Sequence, residues 1–174
     1  MAVPFNIYTG DETLKLSTVS SPFDADLLRL RTITRVYASS YHIIKTPELW
    51  INAQKKCKAC GGNLATITNP NDHAYLAAQL KKMNIKSAWV GLNDIKTEKT
   101  FVWVAGSSAF GGKSGYKKWC PKEPNNKGNE DCVELVANHS AGPCLNDLRC
   151  SFPTNKRGYI CEIIASKTTH DVTI

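Results

Sequence analysis

The ten residues from Glu123 to Cys132, Glu-Pro-Asn-Asn-Lys-Gly-Asn-Glu-Asp-Cys, hold three acids and three asparagines in a chain whose formal net charge is +7. Carboxylates and side-chain amides share one property, an oxygen that a hard cation can use. Calcium takes about six to eight such oxygens from carboxylates, amide carbonyls, backbone and water. Two further stretches supply the same atoms, Asp94 with Glu98 and Asn146 with Asp147. The three stretches together carry six of the chain's 15 acidic residues, although the overall charge is positive. Carboxylates this close repel one another and are driven toward protonation, a conflict that a divalent cation relieves. Paired carboxylates could also serve acid–base hydrolysis. Their interleaving with amide ligands suits calcium better, so no residue is assigned as catalytic and the chain is read as a binding protein, not an enzyme.

Something must hold these residues in place. Between the strand-like runs "TFVWVA" and "DCVELV" lies a long stretch rich in Gly, Lys and Asn. Irregular loops of that length inside compact domains carry function or are pinned, and a metal is one such pin. Upstream, Thr46 reads as the N-cap of a first helix, with Pro47 at its first position, Glu48 at its positive end and Gly61-Gly62 as its stop. Leu49, Trp50, Ala53 and Cys57 would form its apolar stripe. A second helix starts at Asn69-Pro70, with Ala74, Leu76, Ala77 and Leu80 on its inner side. "SAWVGL" and "GYICEII" complete the β-like runs. Residues 1–35 lack cysteine, and "LLRLRTITRVYAS" has the partial two-residue alternation of extended chain, an added strand or hairpin.

With 174 residues and 42% hydrophobic content the chain suits one compact domain with some extension. It contains no run of about eighteen apolar residues, so no membrane insertion is expected. The first residues lack the apolar core of a signal peptide. All seven cysteines fall between Cys57 and Cys161. That pattern favours a disulfide framework in an oxidising compartment, and hence a secreted, extracellular protein. Cys57 and Cys60 have CxxC spacing, but a structural zinc site would want a second such pair or paired histidines, and the chain has neither. The pI near 9.0 raises nucleic acid as a partner. The lysines are scattered in short doublets, without a basic helix or RNA-binding motif, and read as a solvated surface.

Five ordered motifs carry a resemblance. "WINAQKKCKACGGNLATI" is similar to the first helix and its continuation in the C-type lectin-like domain, and "AWVGLND" resembles that family's core strand. "EPNNKGNEDC" resembles its sugar-specificity loop, "LNDLRC" its Trp-Asn-Asp strand, and "GYICE" its closing strand. The likeness covers residues 36–165, leaving 1–35 as an N-terminal extension and 166–174 as a tail. It implies an α+β C-type lectin fold: two helices flanking small antiparallel sheets, with a long calcium-binding loop region and disulfide bonds.

The resemblance, to the mannose-type branch of that family, also distributes the ligands. A principal calcium would be held by Glu123, Asn125, Glu130, Asn146 and Asp147, and an auxiliary one by Asp94, Glu98, Asn126, Glu130 and Asp131. Calcium keeps positions for two vicinal sugar hydroxyls in this family. The order Glu-Pro-Asn goes with mannose, fucose and N-acetylglucosamine, and Gln-Pro-Asp with galactose. Pro124 is expected to be cis. The partners implied are mannose-type glycans on cell surfaces or glycoproteins. The rival is a lectin-like domain that binds a protein or surface ligand without sugar. Lys127 is placed to reach a neighbouring anionic sugar, against the alternative of a solvated lysine. Leu145 stands where the family has tryptophan, which should weaken the core while leaving Asn146 and Asp147 in place.

By the same resemblance Cys57 pairs with Cys161 and Cys132 with Cys150. Cys120 and Cys144 are then inferred to clamp the loop region. Cys60 is left over, a buried thiol on one reading and an intermolecular bridge on the other. A homo-oligomer would be built through Cys60 or through residues 1–35. Asn138-His139-Ser140 is a glycosylation sequon, and the histidines are read as surface residues.

Overall fold

The structure, a computed structural model, describes residues 6–10, 33–105 and 116–170. In chain order the elements are β1 (Asn6–Gly10), β2 (Ile33–Glu48), α1 (Trp50–Ala59), β3 (Asn63–Leu64), α2 (Pro70–Lys82), β4 (Ser87–Asn93), β5 (Val102–Trp103), β6 (Cys132–Val136), β7 (Cys144–Leu148) and β8 (Arg157–His170). The small antiparallel sheets of the expectation are parts of one mixed sheet, ordered β1-β2-β8-β4-β6-β7. β3 adds to β8 and β5 to β4. β4 and β8 run parallel, and the other pairs are antiparallel. β2 and β8 pair from Ile33↔His170 to Glu48↔Arg157, so both strands continue through positions 35 and 165. β1 pairs with β2 from Asn6↔Ser39 to Gly10↔Arg35. Leu27 to Thr32 of the alternating stretch lie outside the described residues.

The first helix begins later than its sequence signals imply. Thr46, Pro47 and Glu48 belong to the end of β2, and Leu49 is the cap, without a side-chain capping bond. Sheet pairing overrides the local cap-and-proline signal. Glu48 is still opposite Arg157, its carbonyl accepts the Trp89 indole N–H at 2.8 Å, and its carboxylate pairs with Lys56. α1 then buries Trp50, Ala53 and Cys57. α2 has the cap read from sequence: Asn69 accepts the amides of Asn71 at 2.9 Å and Asp72 at 3.0 Å, and Pro70 opens the helix. Its buried face differs at one end. Asp72 and His73 face inward with Leu76, Ala77 and Leu80, whereas Ala74 is exposed. Of "TFVWVA", only Val102 and Trp103 are strand.

Two apolar clusters fill the interior. α2 packs Leu76, Ala77 and Leu80 onto Val90, Leu92, Val133, Leu135, Leu145 and Ile160. α1 packs Trp50, Ala53 and Cys57 onto Leu64, Trp89, Tyr159 and the half-cystines Cys132, Cys150 and Cys161. Buried indoles need a partner for their N–H. Trp50 finds it at the Val90 carbonyl, 2.8 Å away, which ties α1 to β4. Gly91 of β4 is required by close approach: a Cβ there would lie 2.7 Å from both the Leu64 carbonyl oxygen and Val104 Cγ2. Leu145 is fully buried in the first cluster, with Trp119 packed against it, so leucine at this position is a core residue. Disulfides join Cys57 to Cys161, Cys120 to Cys144 and Cys132 to Cys150. The first locks α1 to β8, and the other two bracket the oxygen-rich loop.

Candidate functional site

The loop from Cys120 to Asp131 is held at both ends. At its start, the Cys120 amide donates to the Leu145 carbonyl at 2.8 Å, the Leu145 amide donates to the Lys118 carbonyl at 2.7 Å, and the Cys120–Cys144 disulfide joins the segment to β7. At its end, Cys132 enters β6 and is bonded to Cys150 beyond β7. The Glu123–Pro124 bond is cis, and Asn126, Gly128 and Asn129 take positive φ. Asparagine and glycine tolerate that conformation.

Asp147 organises the turn. Its carboxylate, 1% exposed, accepts the backbone amides of Asn125 at 3.2 Å and Asn126 at 2.9 Å. This folds the loop over β7 and presents its side chains as a ring of mutual contacts. Asn125 Nδ2 donates to Glu123 Oε2 at 2.6 Å, and the Lys127 amide donates to Asn125 Oδ1 at 2.7 Å and to Glu130 Oε2 at 3.1 Å. Asn126 connects the loop to the β4–β5 turn, donating to Glu98 Oε1 at 2.9 Å while its Oδ1 accepts the Glu130 amide at 2.6 Å. The Asp94 amide donates to the Asp131 carbonyl at 3.1 Å, and Asn129 Nδ2 donates to Asp131 Oδ2 at 2.8 Å. A cleft of about 370 Å³ opens here, lined by Asp94, Glu98, Pro124, Asn125, Asn126 and Asp147 among others.

The electrostatics are frustrated. Burial pushes the Asp94 carboxyl above its ordinary range, and the charges of Glu98 and Asp131 push it the same way against the Lys99 amide. Burial likewise raises Glu123, reinforced by its hydrogen bond to Asp147 and by that group's charge. Burial raises Glu130, together with the charges of Asp147 and Glu123, while the Lys127 amide and Arg149 oppose it. Asp94 Oδ2 accepts the Lys99 amide at 2.8 Å, but its Oδ1 is buried without a partner. A buried carboxylate oxygen with nothing to accept from is costly. The donor types gathered here, carboxylates, amide oxygens and one orphaned anionic oxygen, are those that calcium takes. A softer metal has no such home among the described residues: Cys120, His139 and Cys144 lie close together, but both sulfurs are in the disulfide.

Glu123, Asn125, Glu130 and Asp147 are thus brought together, as are Asp94, Glu98, Asn126 and Asp131. Asn146 is held differently. It sits opposite Glu134 on β6, one position out of phase with Asp147, and its Nδ2 donates to Glu134 Oε1 at 3.1 Å. Lys127 is exposed. Cys60 is an exposed free thiol, so the buried alternative does not hold. It caps α1 just before Gly61, which takes a positive φ of 79°. His73 is not a surface residue: it is 2% exposed and edge-on to Tyr116 at 5.8 Å. Asn138 is exposed. Sequence reasoning missed Glu134, Arg149 and Arg157. The signal for Glu134 was an acid in the otherwise apolar run "CVELV".

Among the described residues, two helices, one mixed sheet and three disulfides carry an oxygen-lined loop over one sheet edge. The model of the Lectin C-type domain matches residues 46–163, and the chain belongs to the C-type lectin family, a family of non-enzymes that includes carbohydrate-recognition domains. It is 33% identical over 117 residues to a perlucin-like protein of Mytilus galloprovincialis, which covers 64% of this chain and 68% of that one. It is 37% identical over 127 residues to the low affinity immunoglobulin epsilon Fc receptor of Mus musculus, covering 72% of this chain. The chain spans 34% of that receptor and 26% of the C-type lectin domain family 4 member M of Hylobates lar. Among solved structures it resembles the cow carbohydrate-recognition domain of CD23, crystallised with a GlcNAc2Man3 oligosaccharide. The TM-score there is 0.60 at 28% identity, over 73% of this chain and 88% of that one.

Proposed function

We propose that this chain binds mannose-type sugars (mannose, fucose and N-acetylglucosamine) on extracellular glycans through calcium. Glu123, Asn125, Glu130, Asn146 and Asp147 would hold the principal ion. Asp94, Glu98, Asn126, Glu130 and Asp131 would hold an auxiliary one. When bound, calcium supplies two coordination positions that vicinal hydroxyls occupy in place of water. The chain's own groups complete the recognition. Glu123 and Glu130 accept from those hydroxyls, and the amide nitrogens of Asn125 and Asn146 donate to them. The Glu-Pro-Asn order, by its resemblance to the mannose-type branch, sets which hydroxyl geometry is served.

The observation that carries this reading is the turn built on Asp147. One buried carboxylate takes two backbone amides, and in doing so crowds Glu123, Glu130 and Asp147 until burial and mutual charge lift the carboxyls of Glu123 and Glu130. The three disulfides support an extracellular setting. Two hydroxyls and few apolar contacts should hold one monosaccharide by about 4 kcal/mol, near millimolar, so useful binding needs several sites presented together. The test is retention on immobilised mannose in calcium. Release by chelator and free mannose but not by galactose supports the reading. Retention in chelator, or equal release by both sugars, refutes it.

Lys127 is exposed on the same loop, two residues past Asn125, and would favour sulfated or otherwise anionic neighbours of the bound sugar. Lys127→Ala should weaken binding to sulfated ligands while sparing mannose. Binding of the variant to sulfated ligands that is unchanged from wild type refutes this role.

A further inference from the structure

Resting on the calcium reading above, we infer that Glu134 is a positioning residue that sets which edge of the Asn146 amide faces the sugar-binding ion, and that Arg157 holds Glu134 in that role. β6 and β7 are antiparallel, and Glu134 stands directly opposite Asn146, so their side chains share one face of the sheet. Glu134 is 5% exposed. One of its carboxylate oxygens accepts Arg157 Nε–H at 2.9 Å, and the other accepts Asn146 Nδ2–H at 3.1 Å. A carboxylate paired with a guanidinium offers only acceptors on its remaining side. The edge of Asn146 turned toward it must therefore be the NH₂. This assignment follows from donor–acceptor chemistry alone, whichever way the two atoms of the amide are drawn.

The consequence falls on the far edge of the same amide. With Nδ2 tied back to Glu134, Oδ1 is left free of any hydrogen bond among the described residues, and one N–H remains for a hydroxyl. That is the pairing a calcium lectin needs, oxygen to the ion and hydrogen to the sugar. Without Glu134 the amide can turn over and present NH₂ where an oxygen is required. Partners in this outer position orient a ligand, and their loss commonly costs about 10-fold or more in metal affinity. Arg157 belongs to the unit because it lies on β8, two strands removed from Glu134, with β4 between them. It fixes Glu134 from the opposite side to Asn146.

The test turns on glutamine. Glu134→Gln keeps size and burial, so a purely structural role predicts a mild effect. Positioning predicts a severe one. Arg157 Nε–H claims the new carbonyl oxygen, the new NH₂ faces Asn146, and the Asn146 amide inverts. Calcium titration followed by calorimetry on the folded proteins should show affinity weakened by about 10-fold or more. The Asn146 side-chain amide resonances of the calcium-free protein should shift. Adding Arg157→Leu frees the new carbonyl oxygen for Asn146 Nδ2 and should recover most of the calcium affinity. If Glu134→Gln does not fold, Glu134→Asp carries the test, since its shorter reach should also weaken calcium. Wild-type protein that binds calcium, with either folded variant binding it equally well, overturns the positioning role alone. Loss of affinity in Glu134→Gln with no recovery in the double variant overturns the part given to Arg157. Wild-type protein that binds no calcium overturns the calcium reading and this role with it.

Discussion

Asp94→Asn is the sharpest perturbation the site offers, because its sign should reverse with calcium. Asp94 is 3% exposed; one oxygen takes the Lys99 amide at 2.8 Å and the other has no partner. Leaving a buried polar group unsatisfied costs about 1–3 kcal/mol. Asparagine keeps an oxygen for the Lys99 amide, removes the repulsion from Glu98 and Asp131, and replaces the orphaned oxygen with a donor. In chelator the variant should therefore gain on the order of 1 kcal/mol, a rise in melting temperature of roughly 2–4 °C for a chain of this size. In calcium the order should invert. An ion at about 100 times its Kd stabilises the protein by about 2.7 kcal/mol, and a site that has lost one formal charge receives only part of that. Thermal unfolding of both proteins in chelator and in excess calcium reads the four values. A variant that is less stable than wild type in chelator, with an equal calcium increment, refutes the view that Asp94 is an anion waiting for a cation.

Acidity should act with opposite signs in the two states. The folded-state carboxyls of Asp94, Glu123, Glu130 and Glu162 are raised, so the folded chain binds protons before the unfolded chain does. In chelator these groups should make the protein more resistant to urea as pH falls from neutral through the raised values, levelling off below the ordinary carboxylate range. In calcium the same protons compete with the ion and resistance should fall. Slopes of the same sign in both media contradict this. Glu48, held low by Lys56, works the other way, but this exposed pair adds little. Replacing Cys120 and Cys144 with alanine opens a link between residues 24 positions apart, which the loop-entropy relation values at about 3.5 kcal/mol. Urea unfolding of the double variant measures the loss; one below about 1 kcal/mol would mean that the loop is already ordered in the unfolded chain.

Most of the scaffold was legible from residue order because its signals are local or strongly patterned. Asn69-Pro70 both caps and opens α2, and the apolar runs at Ala88 and Val133 become central strands. The misread start of α1 has the opposite cause. Thr46, Pro47 and Glu48 carry a good local helix signal, but the partners that keep them extended, Arg157 and Trp89, are far away in sequence. His73 misled in the same way: nothing nearby in sequence reveals that Tyr116 covers it. At the site, the types of ligand could be read, but not how they are shared out. That Asp147 serves the loop backbone while Asn146 answers to Glu134 depends on the β6–β7 register, which places the two neighbours out of phase.

The strand order has a consequence for how such molecules can be displayed. The oxygen-lined mouth rests on β7 at one margin of the sheet, and β1 forms the other margin, five strands away. A second chain joined along that far border would leave every mouth open and facing outward. A weak grip on one sugar could then be multiplied on a crowded surface without redrawing a single contact at the cleft.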